Sequence, residues 1–233
     1  MTDGVSAAAL RARRKGPLMR DLYPIFLKLK GRQCLVVGGG NIACRKIESL
    51  LECGPRVRVV APDCDHAVSE MWMAGRIELA RRMFRPEDLE GVFLAIAATN
   101  DEEVNRAIQA AARERGVLCN VVDRPDLCDF YVPAVVERGD LQIAISTNGK
   151  APALGAALRN WLEEEIGPGY GSAVERLGKL RERVRARYPN APERRMEVLR
   201  RVAGSDTLWA ALRSRDPKAL DAIMESWTSC SLD

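Results

Sequence analysis

Early in the chain, short apolar runs alternate with stretches whose apolar positions fall three and four residues apart. Cys34-Leu35-Val36-Val37 ends on three consecutive glycines, as a buried parallel strand does when it feeds a turn. Ala43, Ile47, Leu50 and Leu51 then share a helical face, and Gly54-Pro55 stops the pattern. Val57-Arg58-Val59-Val60 reads as a second strand closed by Ala61-Pro62-Asp63, which completes a βαβ unit. Residues 76–80 and 92–98 predict further strands, the latter almost wholly apolar and so central in its sheet. Asn100 or Asp101 caps a helix with Val104, Ala107, Ile108 and Ala111 as its buried stripe, and residues 117–122 return as a strand. Strands alternating with helices in this way predict an α/β fold of Rossmann type, a doubly wound parallel sheet.

After Asp123 the texture changes. Two apolar runs, 132–136 and 141–145, flank Arg138-Gly139-Asp140 and predict a hairpin, and a helix from Pro152 to about Ile166 follows. Gly167-Pro168-Gly169-Tyr170-Gly171 reads as a linker, and the leucines and valines beyond it repeat at helical spacings. The expected organisation is a basic, disordered leader over 1–20, a Rossmann domain over 21–131, a small α+β region over 132–166 and a helical C-terminal domain over 167–233.

Composition narrows the class. The 233 residues are 47% hydrophobic and 29% charged, enough for at least one full core. No apolar run approaches the roughly 20 residues that span a bilayer, and the basic leader lacks the apolar segment of a secretion signal. The expectation is a cytoplasmic protein that uses no membrane. Seven scattered cysteines with no C-x-x-C pair, and one histidine, argue against a metal site or disulfide framework. The +4 charge resides in residues 167–233, which hold 13 Lys/Arg against 9 Asp/Glu. Those basic residues alternate with acids and leucines and have few aromatics among them, which speaks against nucleic acid and for a solvated helix face, an anionic small-molecule substrate or an acidic partner surface.

Gly38-Gly39-Gly40-Asn41-Ile42-Ala43 fits G-x-G-x-x-G/A, with Gly38 at the tight turn, Gly40 where a pyrophosphate approaches the backbone and Ala43 where helix meets strand. The strand before it and the helix and strand after it favour a dinucleotide site over a glycine turn used only for packing. Asp63, just past the second strand, favours NAD over NADP, and the alternation of the strand turns Arg58 away from the cofactor. Thr99 and Asn100 follow the fourth strand, and Asn120 and Asp123 end the fifth, where ligands of open α/β sheets gather. Asp123 is either a general base or an ordinary turn aspartate before Arg-Pro. Ser146, Thr147 and Lys150, ahead of the Pro152 helix, are either a carboxylate or phosphate site or a capped helix start.

Four segments carry a family resemblance: 23–29 (Tyr-Pro-Ile-Phe-Leu-Lys-Leu), 37–46, 97–101 (Ala-Ala-Thr-Asn-Asp) and 119–123 (Cys-Asn-Val-Val-Asp). Together they resemble the precorrin-2 dehydrogenase and sirohydrochlorin ferrochelatase family, which includes the N-terminal module of siroheme synthase, over about residues 22–165. The resemblance implies NAD+-dependent oxidation of precorrin-2 to sirohydrochlorin on a homodimer, whose hairpin and Pro152 helix form the dimerisation region. Some relatives also insert Fe2+ as a substrate. By motif match Asn41, Ile42, Pro62 and Asp63 would contact NAD, and Asp123 matches the family's catalytic aspartate. Lys150, Arg124, Arg159 and the basic tail are the expected hands for a polycarboxylate substrate.

Two departures stand out. The chain is too short for the methyltransferase fused in siroheme synthase, so upstream methylation is expected of another protein. Thr147 stands where the bacterial enzyme has a serine, and Lys150-Ala151 where it has a Thr-Ser pair. The competing reading is an NAD-sensing regulatory module without catalysis, which gives Asp123 and the Thr147 loop no role.

Overall fold

In the computed structural model, residues 21–216 and 218–223 are described; the predicted leader, 1–20, lies outside them. The chain divides after Tyr131 into two compact units.

The first unit alternates β1 (Gln33–Val37), α1 (Asn41–Glu52), β2 (Arg56–Val60), α2 (His66–Met73), β3 (Glu78–Ala80), β4 (Leu94–Ala97), α3 (Glu102–Glu114) and β5 (Leu118–Val121). The strands pair in parallel in the order β3-β2-β1-β4-β5, which is the doubly wound sheet that the alternation predicts. β1 and β4 are central and almost entirely buried, as their unbroken apolar runs require. One face of the sheet packs Val36, Val59 and Ile96 against Ile47 of α1 and Val68 of α2. The other packs Leu35, Val37 and Val121 against Ile108 and Ala112 of α3.

Two local details differ from the pattern. β3 begins at Glu78 rather than Arg76, because the end of α2 claims the intervening residues. Gly75 N–H donates to Trp72 O and Arg76 N–H to Met71 O, both at 2.9 Å, a Schellman closure that a strand cannot share. The buried stripe of α3 is Asn105, Ile108, Ala111 and Ala112, rotated from the expected set. Ala107 is exposed because Asn105 is drawn inward by hydrogen bonds to Thr99.

The second unit opens with a hairpin, β6 (Ala134–Arg138) and β7 (Leu141–Ile145), in antiparallel register about a two-residue Gly139-Asp140 turn. It continues with α4 (Pro152–Glu165), α5 (Gly169–Arg187), α6 (Pro192–Ala203) and α7 (Asp206–Ser214). The glycine-rich stretch read as a linker is helix from Gly169 onward. A Cβ at Gly171 would crowd the Arg138 carbonyl at 2.7 Å, so this glycine serves close packing of α5 on the hairpin turn rather than flexibility. Arg138 also donates to the carbonyls of Glu163 and Ile166, tying the hairpin to the end of α4. Beyond it, Leu180 and Val184 pack with Val198 and Val202, and Ala173 packs with Leu208 and Leu212.

Between β3 and β4, the buried Asp88 carboxylate binds the Arg82 guanidinium through both oxygens, at 2.6 and 2.8 Å, and accepts the Arg85 N–H at 2.9 Å. Arg82 holds this carboxyl below its ordinary pKa. A carboxylate depressed in the folded state contributes stability above its unfolded pKa and loses it as pH falls through the folded value. Asp88→Asn should therefore destabilise the protein by about 1–3 kcal/mol near neutral pH. The gap from the wild type should narrow only below about pH 4. Denaturant unfolding at pH 7 and pH 3.5 checks both; an equal gap at the two values refutes the assignment.

Candidate active site: a dinucleotide cleft at the carboxyl ends of the strands

The carboxyl ends of β1, β2, β4 and β5 open onto a cleft of about 560 Å³. All nine residues predicted for cofactor and catalysis line it: Gly38, Gly40, Asn41, Ile42, Pro62, Asp63, Thr99, Asn100 and Asp123. Met83 and Phe84 line it as well. No sequence signal marked them, because they sit in an aperiodic loop and Met83 is an exposed apolar side chain.

The glycine turn has a clear division of labour. Gly38 has φ +124°, and a Cβ there would overlap the Ala98 carbonyl, so the turn after β1 lies directly on the backbone after β4. A Cβ on Gly39 would overlap the Asp63 carbonyl after β2. At Gly40 the space is open. Gly40 is also the N-cap of α1 and offers no side-chain cap, so the first-turn N–H groups are left for a ligand on the cleft side. Open space beside Gly40, an uncapped helix N-terminus and a cleft of this size together fit the pyrophosphate of a dinucleotide.

The walls are set by hydrogen bonds. Asn105 Oδ1 accepts from the Thr99 hydroxyl at 2.8 Å, and its Nδ2 donates to the Thr99 carbonyl at 3.0 Å. The Thr99 side chain thus shapes the loop from behind, and Asn105, the residue that sequence reasoning missed, clamps it. A polar side chain three residues before Ile108 on a buried stripe was the available signal. Asp101 Oδ1 accepts from Glu103 and Val104 N–H and so caps α3. Arg45 Nε donates to Asn41 Oδ1 at 3.1 Å. Arg58, as its alternation suggested, is outside the cleft lining and pairs with Glu78 at 3.1 Å.

Asp123 sits in a turn closed by Arg124 N–H to Val121 O at 3.2 Å, with φ +59°. Its side chain is exposed on the cleft. Asn120, expected to meet substrate, is instead buried, and its Nδ2 donates to Phe130 O at 2.9 Å. Arg124 is bound to Asp126 and Glu102. Ser146, Thr147 and Lys150 belong to the second unit. There the Thr147 hydroxyl accepts Ala151 N–H at 3.2 Å, Ser146 Oγ accepts Asn148 N–H, and Lys150 is exposed. Among the described residues no group of His, Cys, Asp and Glu is placed to hold a metal ion, and no helix is long and apolar enough to cross a membrane.

Residues 25–134 match a family model described as putative NAD(P)-binding, and residues 138–165 match one described as sirohaem biosynthesis protein central. Siroheme synthase of Nitrosomonas europaea is 41% identical over 209 residues, which cover 88% of this chain and 43% of that protein. The siroheme synthase of Methylobacillus flagellatus is 42% identical over 191 residues, covering 81% and 41%. The structure of SirC, a precorrin-2 dehydrogenase, superposes with a TM-score of 0.72 at 29% identity, covering 90% of this chain and all of that one. The chain belongs to the precorrin-2 dehydrogenase family. It spans less than half the length of the siroheme synthases it matches, while the SirC-like fold accounts for most of it. Membership agrees with the cleft: the family's NAD(P)-binding unit is the one that carries the glycine turn.

The glycines separate folding from binding. Gly38→Ala combines backbone strain with a clash and should cost about 3 kcal/mol. Gly40 has φ −85°, which alanine adopts freely. Gly40→Ala should leave thermal unfolding unchanged and weaken NAD+ binding by tenfold or more, read by calorimetric titration. Undiminished binding by Gly40→Ala would remove this edge of the cleft from the cofactor site.

Proposed function

We propose that the chain oxidises precorrin-2 to sirohydrochlorin with NAD+, with Asp123 as the general base. The observation that carries this reading is that the glycine turn and the Asp123 carboxylate line one cleft. When bound, NAD+ supplies the hydride acceptor. The backbone at Gly38 and Gly40 and the first turn of α1 would hold its pyrophosphate. Asp63 would take the ribose hydroxyls, and its negative charge, with Arg58 committed to Glu78, favours NAD+ over NADP+. Oxidation removes one hydride and one proton from the macrocycle, and the Asp123 carboxylate accepts the proton. The same carboxylate would accept protons from the pyrrole nitrogens if Fe2+ enters sirohydrochlorin as a substrate. The thiols of Cys34, Cys44, Cys64, Cys119 and Cys128 are free, which suits a reducing cytoplasmic setting.

Asp123→Asn is the cleanest test, because asparagine tolerates the left-handed turn and only the proton acceptor is lost. Turnover followed by NADH absorbance should fall by about 10²–10⁴-fold, with NAD+ affinity kept. A wild-type protein that binds NAD+ and never converts precorrin-2 overturns the enzyme reading in favour of a regulatory NAD module. Running the assay with Fe2+ and following siroheme absorbance settles the chelatase step separately.

The working form is a homodimer built through the second unit. Leu154, Leu158 and Trp161 lie on one face of α4 and are 55%, 37% and 55% exposed, while Gly155 alone is buried in that helix. Such an exposed apolar stripe fits a second copy. Trp161→Glu should convert the dimer to a folded monomer in light scattering; a dimer that survives the charge rules this face out.

A further inference from the structure

β5 is the last strand of its sheet, so Val121 presents its N–H and C=O off a free edge. The chain returns along that edge after the Asp123 turn. Asp129 exchanges hydrogen bonds with Cys119, its N–H donating to Cys119 O at 2.8 Å and its Oδ2 accepting Cys119 N–H at 2.9 Å. One turn nearer the cleft, Cys128 takes the corresponding place through its side chain. Its Sγ accepts Val121 N–H at 3.2 Å and Asn120 Nδ2 at 3.4 Å. The carbonyls of Val121 and Arg124 lie 3.1 and 3.2 Å from the same sulfur, within reach of its S–H. Val121 and Arg124 are the two ends of the turn that holds Asp123 in its left-handed conformation.

We propose that Cys128 is the positioning residue of the Asp123 base, its thiol binding both ends of the turn and thereby fixing where the carboxylate meets the substrate. This rests on the reading of Asp123 as base. A left-handed aspartate is a strained state that persists only where its surroundings over-determine it, and the single hydrogen bond across the turn, Arg124 N–H to Val121 O, does not do so by itself. The thiol adds a bond to each flank. Partial burial pushes the thiol pKa up, so the group stays protonated and keeps its donor at neutral pH. Asn120 extends the brace, joining Cys128 to the Phe130 carbonyl. The buried amide thus acts behind the base.

The test uses Cys128→Ala, Cys128→Ser and Asp123→Asn in the full chain, with kcat, KM for precorrin-2 and NAD+ affinity measured for each. Cys128→Ala leaves the turn carbonyls and Val121 N–H without the thiol. A displacement of the base on the ångström scale should lower kcat by about 10- to 100-fold, with KM and NAD+ affinity kept. Cys128→Ser keeps a donor and acceptors at the same place and should recover most of the lost kcat. A merely structural cysteine would instead show parallel losses in NAD+ affinity and kcat, or no loss, and either result overturns the proposal. If Cys128→Ala does not fold, the serine variant decides: a folded Cys128→Ser protein with kcat reduced as far as its NAD+ affinity refutes positioning, and near-wild-type kcat supports it. Wild-type turnover by Asp123→Asn removes the base itself. An inactive Asp123→Asn beside a fully active Cys128→Ala removes only the brace.

Discussion

Three backbone segments meet where the turn after β1 leaves the sheet, and that close approach governs what the first unit can do. Gly38 lies on the Ala98 carbonyl and Gly39 on the Asp63 carbonyl, so the turns after β4 and β2 are held against the glycine turn by contacts that no side chain could make. The result is a fixed distance between the start of α1, the Pro62-Asp63 wall and the Thr99-Asn100 wall. Gly38 N–H to Val60 O at 3.0 Å and Ala98 N–H to Val37 O at 2.8 Å lock the same three segments from the hydrogen-bonding side. A dinucleotide pyrophosphate needs backbone donors within hydrogen-bond distance, and only Gly40, the one glycine of the three with open space beside it, is free to provide that approach.

From this fixed floor the chemistry is added at the sheet's far edge. β5 pairs with β4 on one side only, and its free edge would be a liability if left open. The chain answers with the Asp123 turn and the return through Asp129 and Cys128, which satisfies the edge with one backbone-and-carboxylate pair and one thiol. Covering the edge and aiming the carboxylate are thus the same structural event. Elsewhere the charges near the cleft are already committed: Asp101 caps α3, Arg124 pairs with Glu102 and Asp126, and Arg45 binds Asn41. That leaves Asp63 and Asp123 as the carboxylates of the cleft whose side chains make no hydrogen bond or ion pair among the described residues, the first proposed for the cofactor's ribose and the second for the reacting end.

The glycine turn, the strand alternation and the residues at strand ends were legible in the sequence because each obeys a local rule of period or conformation. All nine cofactor and catalytic candidates reach the cleft for that reason. What escaped the sequence were roles set by a tertiary partner rather than by a local rule of period or conformation. Asn120 follows the same strand-end rule as Asp123, but the return segment at 128–130 captures its amide. Asn105 breaks an apolar stripe to clamp Thr99 six residues before it. Glycines are ambiguous in the same way: the run at 167–171 has the composition of a linker, and only the Arg138 carbonyl against Gly171 shows that it is packing.

The second unit poses a separate energetic question. A two-stranded hairpin is marginal by itself, and here α4 and α5 back it, with Val136 as its one fully buried apolar side chain. Leu154, Leu158 and Trp161 are already about half covered, so burying the rest on a two-fold axis would contribute only about half of the ~1.5–3 kcal/mol that full burial of each such side chain supplies in each protomer, against about 4–15 kcal/mol for lost translational and rotational freedom. The helix faces alone therefore come close to break-even. A stable dimer needs further surface, and the hairpin is the element with capacity to supply it. Both of its strands are edges, and Val132 just ahead of it is 47% exposed, so docking a second copy would complete a sheet that the single chain leaves at two strands.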